Sequence, residues 1–195
     1  MEARETRRMS EDEYLALDRQ SEGRWEYVGG EAFELAGARP EHNLVVANVG
    51  HALGNALADR PCVVLASQQK IATRATGAFH YPDVVVVCGA LERDRRAAEV
   101  VCNPTLLVEV LSPTTADYDR GAKFEHYVTI PSLAEVLLIS TGPRVVQRRR
   151  RQSSGEWTLS WHHDGTVELT SVGATLSLHD VYDKLDLTSD GSAPT

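Results

Sequence analysis

The sequence lacks any hydrophobic run long enough to cross a membrane. No window of its 195 residues approaches the ~18 apolar residues that a spanning helix needs. Most of the first eight residues are charged, and no apolar segment follows them, so we expect no signal peptide. These absences predict a cytoplasmic protein that has no membrane partner.

Cysteine is scarce. The three cysteines, Cys62, Cys88 and Cys102, are odd in number and lack the C-x-x-C spacing of metal and redox sites. Two of them border apolar segments of the chain. We therefore expect buried free thiols in a reducing cytoplasm.

Positive charge is in deficit, with 20 Lys and Arg against 28 Asp and Glu and a net charge of −8. Proteins that coat nucleic acid indiscriminately use Lys and Arg to neutralise phosphates, so this class is disfavoured. A local basic surface stays open, formed by Arg144 with the four arginines at 148–151. On a strand these arginines would alternate between two faces, and we favour a solvated edge that prevents strand pairing.

Several enzyme motifs are also missing. The chain has no Walker A segment and no G-x-G-x-x-G segment. Ser112 lacks the flanking glycines of a serine-hydrolase nucleophile elbow. The remaining composition, 42% hydrophobic and 25% charged residues, is ordinary for a soluble globular protein, and the length fits one domain.

Two apolar segments in the middle of the chain each contain one carboxylate. The first, residues 80–87, has Asp83 directly after Pro82, and the second, residues 106–111, has Glu109 between two valines. Runs of Val and Leu of this kind are typical of strands buried on both faces of a sheet. A buried carboxylate is costly without positive compensation, and one divalent cation shared by both strands is the simplest compensation.

These carboxylates predict a metal-dependent hydrolytic site. If the two strands are neighbours, both side chains can point to one face of the sheet. Mg²⁺ and Mn²⁺ accept one or two carboxylates together with water and a phosphate oxygen. Hydrolysis of a phosphodiester also requires a cation beside the phosphate, and Lys123 on the next predicted helix is the candidate.

Local patterns place these segments in one domain over residues 10–186. Ser10 and Glu13 form a capping box that opens a short helix. The first nine residues are expected to be flexible, and residues 187–195 form a small polar tail that is expected to be disordered. The patterns further predict a hairpin over 25–35 with Gly29 and Gly30 in its turn, helices over 41–58 and 117–127, and a second hairpin over 144–162.

The segments around the carboxylates match a known pattern. Tyr81-Pro82-Asp83 precedes one strand, Val-Glu-Val-Leu-Ser-Pro occupies 108–113, and Asp119 and Lys123 follow before Tyr127. In these residues the chain resembles the Uma2 family, which belongs to the PD-(D/E)xK restriction-endonuclease-like superfamily. The resemblance extends to residues 25–31 and to the helix at His42, and it covers roughly residues 10–185.

The resemblance implies an α/β fold in which a mixed β-sheet is flanked by helices, with β-hairpins towards both ends. It also implies an endonuclease that hydrolyses DNA with Mg²⁺ or Mn²⁺ as the cofactor. Asp83 and Glu109 become metal ligands, and Val110 joins them in the metal-binding set.

The resemblance assigns catalytic roles to Asp83, Glu109, Lys123 and His42. The lysine of the superfamily motif would fall at Leu111, which is apolar, so the lysine is expected from the following helix as Lys123. His42 lies at the start of the long helix, where the resemblance places it near the site.

Each candidate residue also has a structural interpretation. Asp83 could be a turn residue after a proline, and Glu109 could form a buried ion pair. Asp119 lies four residues before Lys123, so the pair could serve only to stabilise a helix face. His42 could cap its helix. We expect Glu26 and Glu31 to be charged edge residues, and the alternative is a supporting contact to a metal or water. We expect Gln68, Gln69 and Lys70 to lie on an exposed strand face, and the alternative is that a polar residue there faces the site.

Function also has alternatives. A nuclease fold without activity would act as a binding or regulatory module. A carboxylate-held metal could instead serve a small phosphorylated substrate. A homodimer is compatible with the length, because a nuclease of this size often needs a second half to grip a duplex.

Overall fold

A computed structural model describes residues 6–66, 68–112 and 116–187. Residues 6–8, which were assigned to the flexible N-terminus, form a paired strand, and Leu187 ends a short 3₁₀ helix. Residues 1–5 and 188–195 lie outside the described part. The strands are β1 (Thr6–Arg8), β2 (Trp25–Val28), β3 (Glu31–Glu34), β4 (Cys62–Ala66), β5 (Ile71–Thr73), β6 (Ala78–His80), β7 (Val84–Cys88), β8 (Leu106–Leu111), β9 (Glu135–Ser140), β10 (Val145–Arg151), β11 (Trp157–His162), β12 (Thr166–Leu169) and β13 (Ala174–Ser177). The helices are α1 (Glu11–Gln20), α2 (Pro40–Ala56), α3 (Ala116–Arg120), α4 (Ala122–Tyr127) and α5 (Leu178–Val181), with the 3₁₀ helix at Leu185–Leu187.

The central layer is a six-stranded mixed sheet in the order β11-β10-β9-β8-β7-β4. The β8–β9 pair is parallel and the other pairs are antiparallel. The two carboxylate-bearing segments are neighbours, because Val84 of β7 pairs with Val108 of β8. Every residue of β8 is buried. The predicted mixed α/β fold flanked by helices is thus confirmed.

A second, five-stranded sheet follows the order β1-β3-β2-β6-β5. Its β2–β3 hairpin is the predicted one, and Gly29 and Gly30 adopt φ values of 60° and 88°, as a type I′ turn requires. Residues 62–72 do not form one continuous strand. The structure instead assigns β4 to the central sheet and β5 to the second one. Strands β12 and β13 form a separate ribbon.

The helices follow the sequence patterns with one exception. The capping box of α1 is present, and α2 spans most of the predicted range 41–58. The prediction of a single helix over 117–127 is wrong, because the segment breaks at Gly121 into α3 and α4. Gly121 has φ −106° and ψ −101°, which lie outside the helical region.

The two faces of the central sheet bury different sets of side chains. Val84, Val86 and Val108 face α2 and the C-terminal ribbon. The residues at the alternate positions, such as Leu107 and Leu111 of β8, point to the other face and pack with Tyr127 of α4. Because side chains alternate along a strand, Glu109 lies on the α4 face of β8. The helix that carries Lys123 therefore covers the carboxylate.

The expectation that the cysteines are free thiols is wrong for two of them. Cys62 of β4 lies opposite Cys88 of β7 in the antiparallel pair, and the two form a disulfide. Cys102 is free and buried. Separately, none of the described helices is long and apolar enough to cross a membrane.

Candidate active site

Asp83 and Glu109 lie together at the junction of β7 and β8. Asp83 immediately precedes β7, and its Oδ2 accepts a hydrogen bond of 2.7 Å from the backbone N–H of Val110. Glu109 lies inside β8 and is 4% exposed. The bond fixes the Asp83 carboxylate beside the strand that carries Glu109. The structure therefore brings together all three residues of the expected metal-binding set.

Lys123 reaches Glu109 from α4. Its Nζ lies 2.8 Å from Glu109 Oε1, and both side chains are almost fully buried. The Tyr127 hydroxyl, one turn further along α4, donates to the same oxygen at 2.5 Å. The structure therefore brings a lysine to the carboxylate even though Leu111 occupies the superfamily position.

Two further carboxylates surround the same ammonium group. Lys123 Nζ lies 3.1 Å from Glu26 Oε1 and 3.6 Å from Asp119 Oδ1. Asp119 is buried, so its contact is not the exposed helix-face pair that its spacing allowed. Glu26 comes from β2 in the second sheet and is 1% exposed. The expectation of a charged edge residue is therefore wrong for Glu26.

A sequence signal for Glu26 was present. It lies between Trp25 and Tyr27 in a strand whose first three residues are buried. A carboxylate among aromatic residues is the same feature that singled out Glu109. Glu31, in contrast, forms a half-exposed ion pair with Arg8 at 3.0 Å, as expected of an edge residue.

Glu26 also contacts the segment that leads into Asp83. Its Oε1 accepts a hydrogen bond of 2.9 Å from the Tyr81 N–H, and its Oε2 lies 3.5 Å from His80 Nδ1. Burial alone would raise the pKa of Glu26. The charge of Lys123 and the contacts with His80 and Tyr81 outweigh burial and lower this pKa to about 2. Glu26 is therefore a permanent anion at the site.

The pKa values of Glu109 and Lys123 are both raised, but burial acts on them in opposite directions. Burial raises the pKa of Glu109 well above its usual value, and the charges of Asp119, Asp83 and Glu26 add to this rise against the opposing effect of Lys123. Burial alone would lower the pKa of Lys123, but the charges of Glu109 and Glu26 raise it well above its usual value. Lys123 therefore remains an ammonium ion, while Glu109 is the carboxyl group of the cluster whose environment favours uptake of a proton.

His42 lies at the more open side of the cluster, in the first turn of α2. Its Nε2 is 3.2 Å from Asp83 Oδ2, and its side chain is 19% exposed. Burial opposes protonation, but the hydrogen bond and charge of Asp83 raise the pKa of His42. The structure thus places His42 beside Asp83 rather than as an isolated helix cap.

The donor chemistry fits a hard divalent cation. Four carboxylates, those of Glu26, Asp83, Glu109 and Asp119, act on one another around the single ammonium group of Lys123. Within the described ranges, no group of three or more His, Cys, Asp or Glu side chains is placed to hold a metal ion. Mg²⁺ does not need three such side chains, because it retains several waters and binds through one or two carboxylates. Asp83 and Glu109 supply these, and the excess negative charge favours a cation.

The expectation for Lys70 is also wrong. Its side chain is buried and does not lie on an exposed strand face. Its Nζ pairs with Asp18 of α1 and lies 5.2 Å from the centre of the Tyr14 ring. Asp18 also accepts a hydrogen bond of 2.7 Å from the Tyr81 hydroxyl. This network holds the segment before Asp83 against α1.

Comparison with known proteins identifies the family of the chain. The family model for Uma2, described as "Putative restriction endonuclease", matches residues 11–180. The chain belongs to the Uma2 family. The predicted membership is thereby confirmed, and it covers every side chain of the cluster.

Two relatives match most of the chain. Two proteins from Synechocystis sp. (strain ATCC 27184 / PCC 6803 / Kazusa), "Uncharacterized protein slr1290" and "Uncharacterized protein sll1609", are each 30% identical to it. The first match covers 90% of this chain and 92% of the relative, and the second covers 80% and 88%.

A solved structure shares the fold. The crystal structure of "a putative nuclease belonging to DUF820" from Anabaena variabilis ATCC 29413 matches this Uma2 chain with a TM-score of 0.74 at 18% identity. The match covers 91% of this chain and 99% of the other. The fold is therefore that of a restriction-endonuclease-like α/β protein.

Proposed function

We propose that this Uma2 protein is an endonuclease that hydrolyses DNA phosphodiester bonds with Mg²⁺ or Mn²⁺. One observation carries the proposal: Asp83 and Glu109 meet at neighbouring strands, and Lys123 lies 2.8 Å from Glu109. The description of the family as restriction endonucleases supports the choice of a nucleic-acid substrate.

Asp83, Glu109 and the backbone carbonyl of Val110 would hold the metal ion. When bound, the ion would supply Lewis acidity that polarises the scissile phosphate and acidifies water. The Val110 N–H keeps Asp83 oriented at 2.7 Å, and Tyr127 keeps Glu109 oriented at 2.5 Å. Both carboxylates are thus positioned by groups of this chain before any ligand arrives.

Lys123 stabilises negative charge and does not act as a base. Its raised pKa keeps the ammonium group protonated at neutral pH. During hydrolysis a water oxygen forms a bond to phosphorus, one P–O ester bond breaks, and charge accumulates on the phosphate oxygens. A buried ammonium beside that charge stabilises the transition state more than an exposed one would.

His42 is the candidate proton donor. The departing alkoxide needs a proton, and His42 is the protonatable side chain beside Asp83 with access to solvent. Its raised pKa increases the fraction of imidazolium at neutral pH. After donating this proton, the ring recovers one from water.

Nicking of supercoiled plasmid DNA with Mg²⁺ or Mn²⁺ tests the proposal. Asp83→Asn and Glu109→Gln retain the side-chain volumes and remove the charges, and each should reduce nicking by roughly a thousandfold. Glu168→Gln is the matched control, because Glu168 is an exposed carboxylate on β12. It should leave nicking unchanged.

Calorimetric titration of Mg²⁺ supplies a second readout. The wild-type protein should bind the ion, and the Asp83 and Glu109 variants should bind it much more weakly. Nicking that survives both substitutions would contradict the site assignment. A wild-type protein that neither binds Mg²⁺ nor cleaves any nucleic acid would favour a silent binding or regulatory module.

A further inference from the structure

A row of paired residues leads from the candidate active site to the edge of the central sheet. Glu109 of β8 pairs with Leu138 of β9, Leu138 with Gln147 of β10, and Gln147 with Trp161 of β11. Residues paired across neighbouring strands point to the same face. At about 4.8 Å per strand, Trp161 lies roughly 14 Å from Glu109 along the sheet, on the same face.

The far end of this row carries exposed apolar side chains. Trp161 is 57% exposed and Leu159 is 43% exposed. Trp157 shares their face by alternation, but its ring packs edge-on against Phe124 of α4 at 5.2 Å. Helix α4 therefore covers the sheet as far as Trp157 and leaves Leu159 and Trp161 uncovered. Large exposed side chains next to a functional site often mark an interaction surface.

Positive charge lies on the same face. The guanidinium of Arg149 lies 4.0 Å from the centre of the Phe124 ring, and that of Arg151 lies 5.0 Å from the centre of the Trp157 ring. Among the described residues, neither arginine has a carboxylate within ion-pair distance. Arg148, which points to the opposite face, is paired with buried Glu135. Arg151 Nη2 also donates hydrogen bonds to the carbonyl oxygens of Val128 and Ile130, at 2.7 and 2.9 Å. The face of Trp161 therefore carries Arg151, which is held in place by backbone carbonyls, and Arg149, and a carboxylate neutralises neither charge.

We propose that Arg149, Arg151, Leu159 and Trp161, the aromatic–arginine face, bind a nucleic-acid strand that continues from the candidate active site. Trp161 would stack on an unpaired base, and Arg149 would neutralise a phosphate. Both contacts are typical of proteins that hold single strands. Phe124 links the face to the site, because it follows Lys123 directly in α4 and supports Arg149. The inference rests on the proposed function and names the surface that holds its substrate.

The charge of the aromatic–arginine face favours a nucleic-acid strand over a second copy of the chain as its partner. A symmetric pairing of two β11 edges would place the same surface against itself. The uncompensated arginines would then face arginines, and like charges would oppose the contact. A polyanionic strand neutralises them. The face therefore fits a nucleic acid better than another protomer.

Fluorescence anisotropy of a short labelled single-stranded DNA tests the inference, with EDTA in one series and Ca²⁺ in a parallel series. Trp161→Ala should weaken binding roughly tenfold, and Trp161→Phe should retain most of the affinity, because a phenyl ring still stacks. Arg149→Gln should weaken binding and reduce the slope of log affinity against log salt by about one.

Two matched controls lie elsewhere on the molecule. Val63→Ala removes an exposed apolar side chain from β4, the opposite edge of the same sheet, and Arg95→Gln removes one exposed positive charge. Neither should change affinity. In cleavage of a single-stranded DNA substrate, Trp161→Ala should raise KM and leave kcat unchanged.

The outcomes separate this inference from the proposed function. Loss of binding in Trp161→Ala, in a protein that cleaves nothing, would support the face and contradict the nuclease. Normal affinity and KM in Trp161→Ala, in a protein that cleaves, would contradict the face alone. A wild-type protein that binds no oligonucleotide in either series would also overturn the inference. So would a Trp161→Ala variant that only converts a dimer into a monomer.

Discussion

A single lysine joins three carboxylates from three different elements. Lys123 contacts Glu26 of β2, Glu109 of β8 and Asp119 of α3. Removing one partner of such a buried set is costly, because it leaves charge without compensation. The side chain that we expect to stabilise the reacting phosphate is therefore also a cross-link between the two large sheets.

Glu26 should make the free energy of unfolding depend on pH in the acid range. Its pKa is about 2 in the folded protein, below the usual 4.5. A carboxylate with a lowered pKa contributes stability above its unfolded pKa and loses it as the pH falls through the folded value. Glu26→Gln should therefore be less stable than wild type by on the order of 3 kcal/mol at pH 7, and the difference should shrink between pH ~4.5 and ~2. Urea unfolding across this range measures it.

Glu31→Gln is the control for this experiment. Glu31 belongs to the same hairpin, but its ion pair with Arg8 is exposed. An exposed pair contributes about 0–1 kcal/mol, so this variant should stay close to wild type throughout. A Glu26→Gln deficit that is constant with pH would contradict the lowered pKa.

Arg148 should be a major stabilising residue. Its guanidinium pairs with Glu135, which is fully buried and also accepts a hydrogen bond of 3.1 Å from the Ser171 N–H. Arg148→Met should cost about 3–5 kcal/mol of unfolding free energy, because it leaves Glu135 buried without a cation. Adding Glu135→Gln to this variant should recover part of the loss. Arg150→Met, on the same strand, should cost much less, and equal losses at 148 and 150 would contradict this account.

At the scale of elements, the break at Gly121 positions Lys123. A side chain at 121 would meet the Asp117 carbonyl oxygen at 3.1 Å, which is a tight contact with backbone. Alanine also favours continuing α3 into α4 as one helix. Gly121→Ala should therefore shift Lys123 relative to Glu109 and lower kcat by up to about a hundredfold, as displacements near 1 Å do.

Gly54→Ala in α2 is the control for the helix break. Beyond the neighbouring residues and the local helix backbone, no atom lies within 4 Å of a side chain placed at 54. This variant should gain about 0.5–1 kcal/mol of stability without changing nicking. Unchanged nicking by Gly121→Ala would show that the break does not set the position of Lys123.

The sequence predicts those elements whose signals are local. The β2–β3 turn follows from two glycines, α2 follows from its apolar period, and Glu109 follows from its apolar neighbours. The ion pairs of Glu26 with Lys123 and of Lys70 with Asp18 join residues that are far apart in the sequence, so no local pattern predicts the partners. The same limit applies to the cysteines, because pairing Cys62 with Cys88 requires knowing that β4 and β7 are neighbours.

At the scale of the whole molecule, the candidate site lies where the two large sheets join. The connection from β6 to β7 runs from one sheet into the other, and it carries Tyr81 and Asp83. Glu26 comes from one sheet and Glu109 from the other. A change that separates the sheets should therefore remove activity before it unfolds either of them. The disulfide lies at the other end of β7 from Asp83, roughly 16 Å along the strand.

Reduction of this disulfide should lower stability without lowering activity. The bond joins residues 26 positions apart, and a loop of this length contributes about 3.5 kcal/mol by restricting the unfolded chain. Thiol titration of the unfolded protein should find only Cys102 before reduction and all three cysteines afterwards. The reduced protein should unfold at lower urea but nick DNA at the wild-type rate, because Cys88 and Asp83 lie at opposite ends of β7. Cys102→Ala should lose one thiol and keep the stability difference. Three reactive thiols in the unreduced protein would contradict the bond.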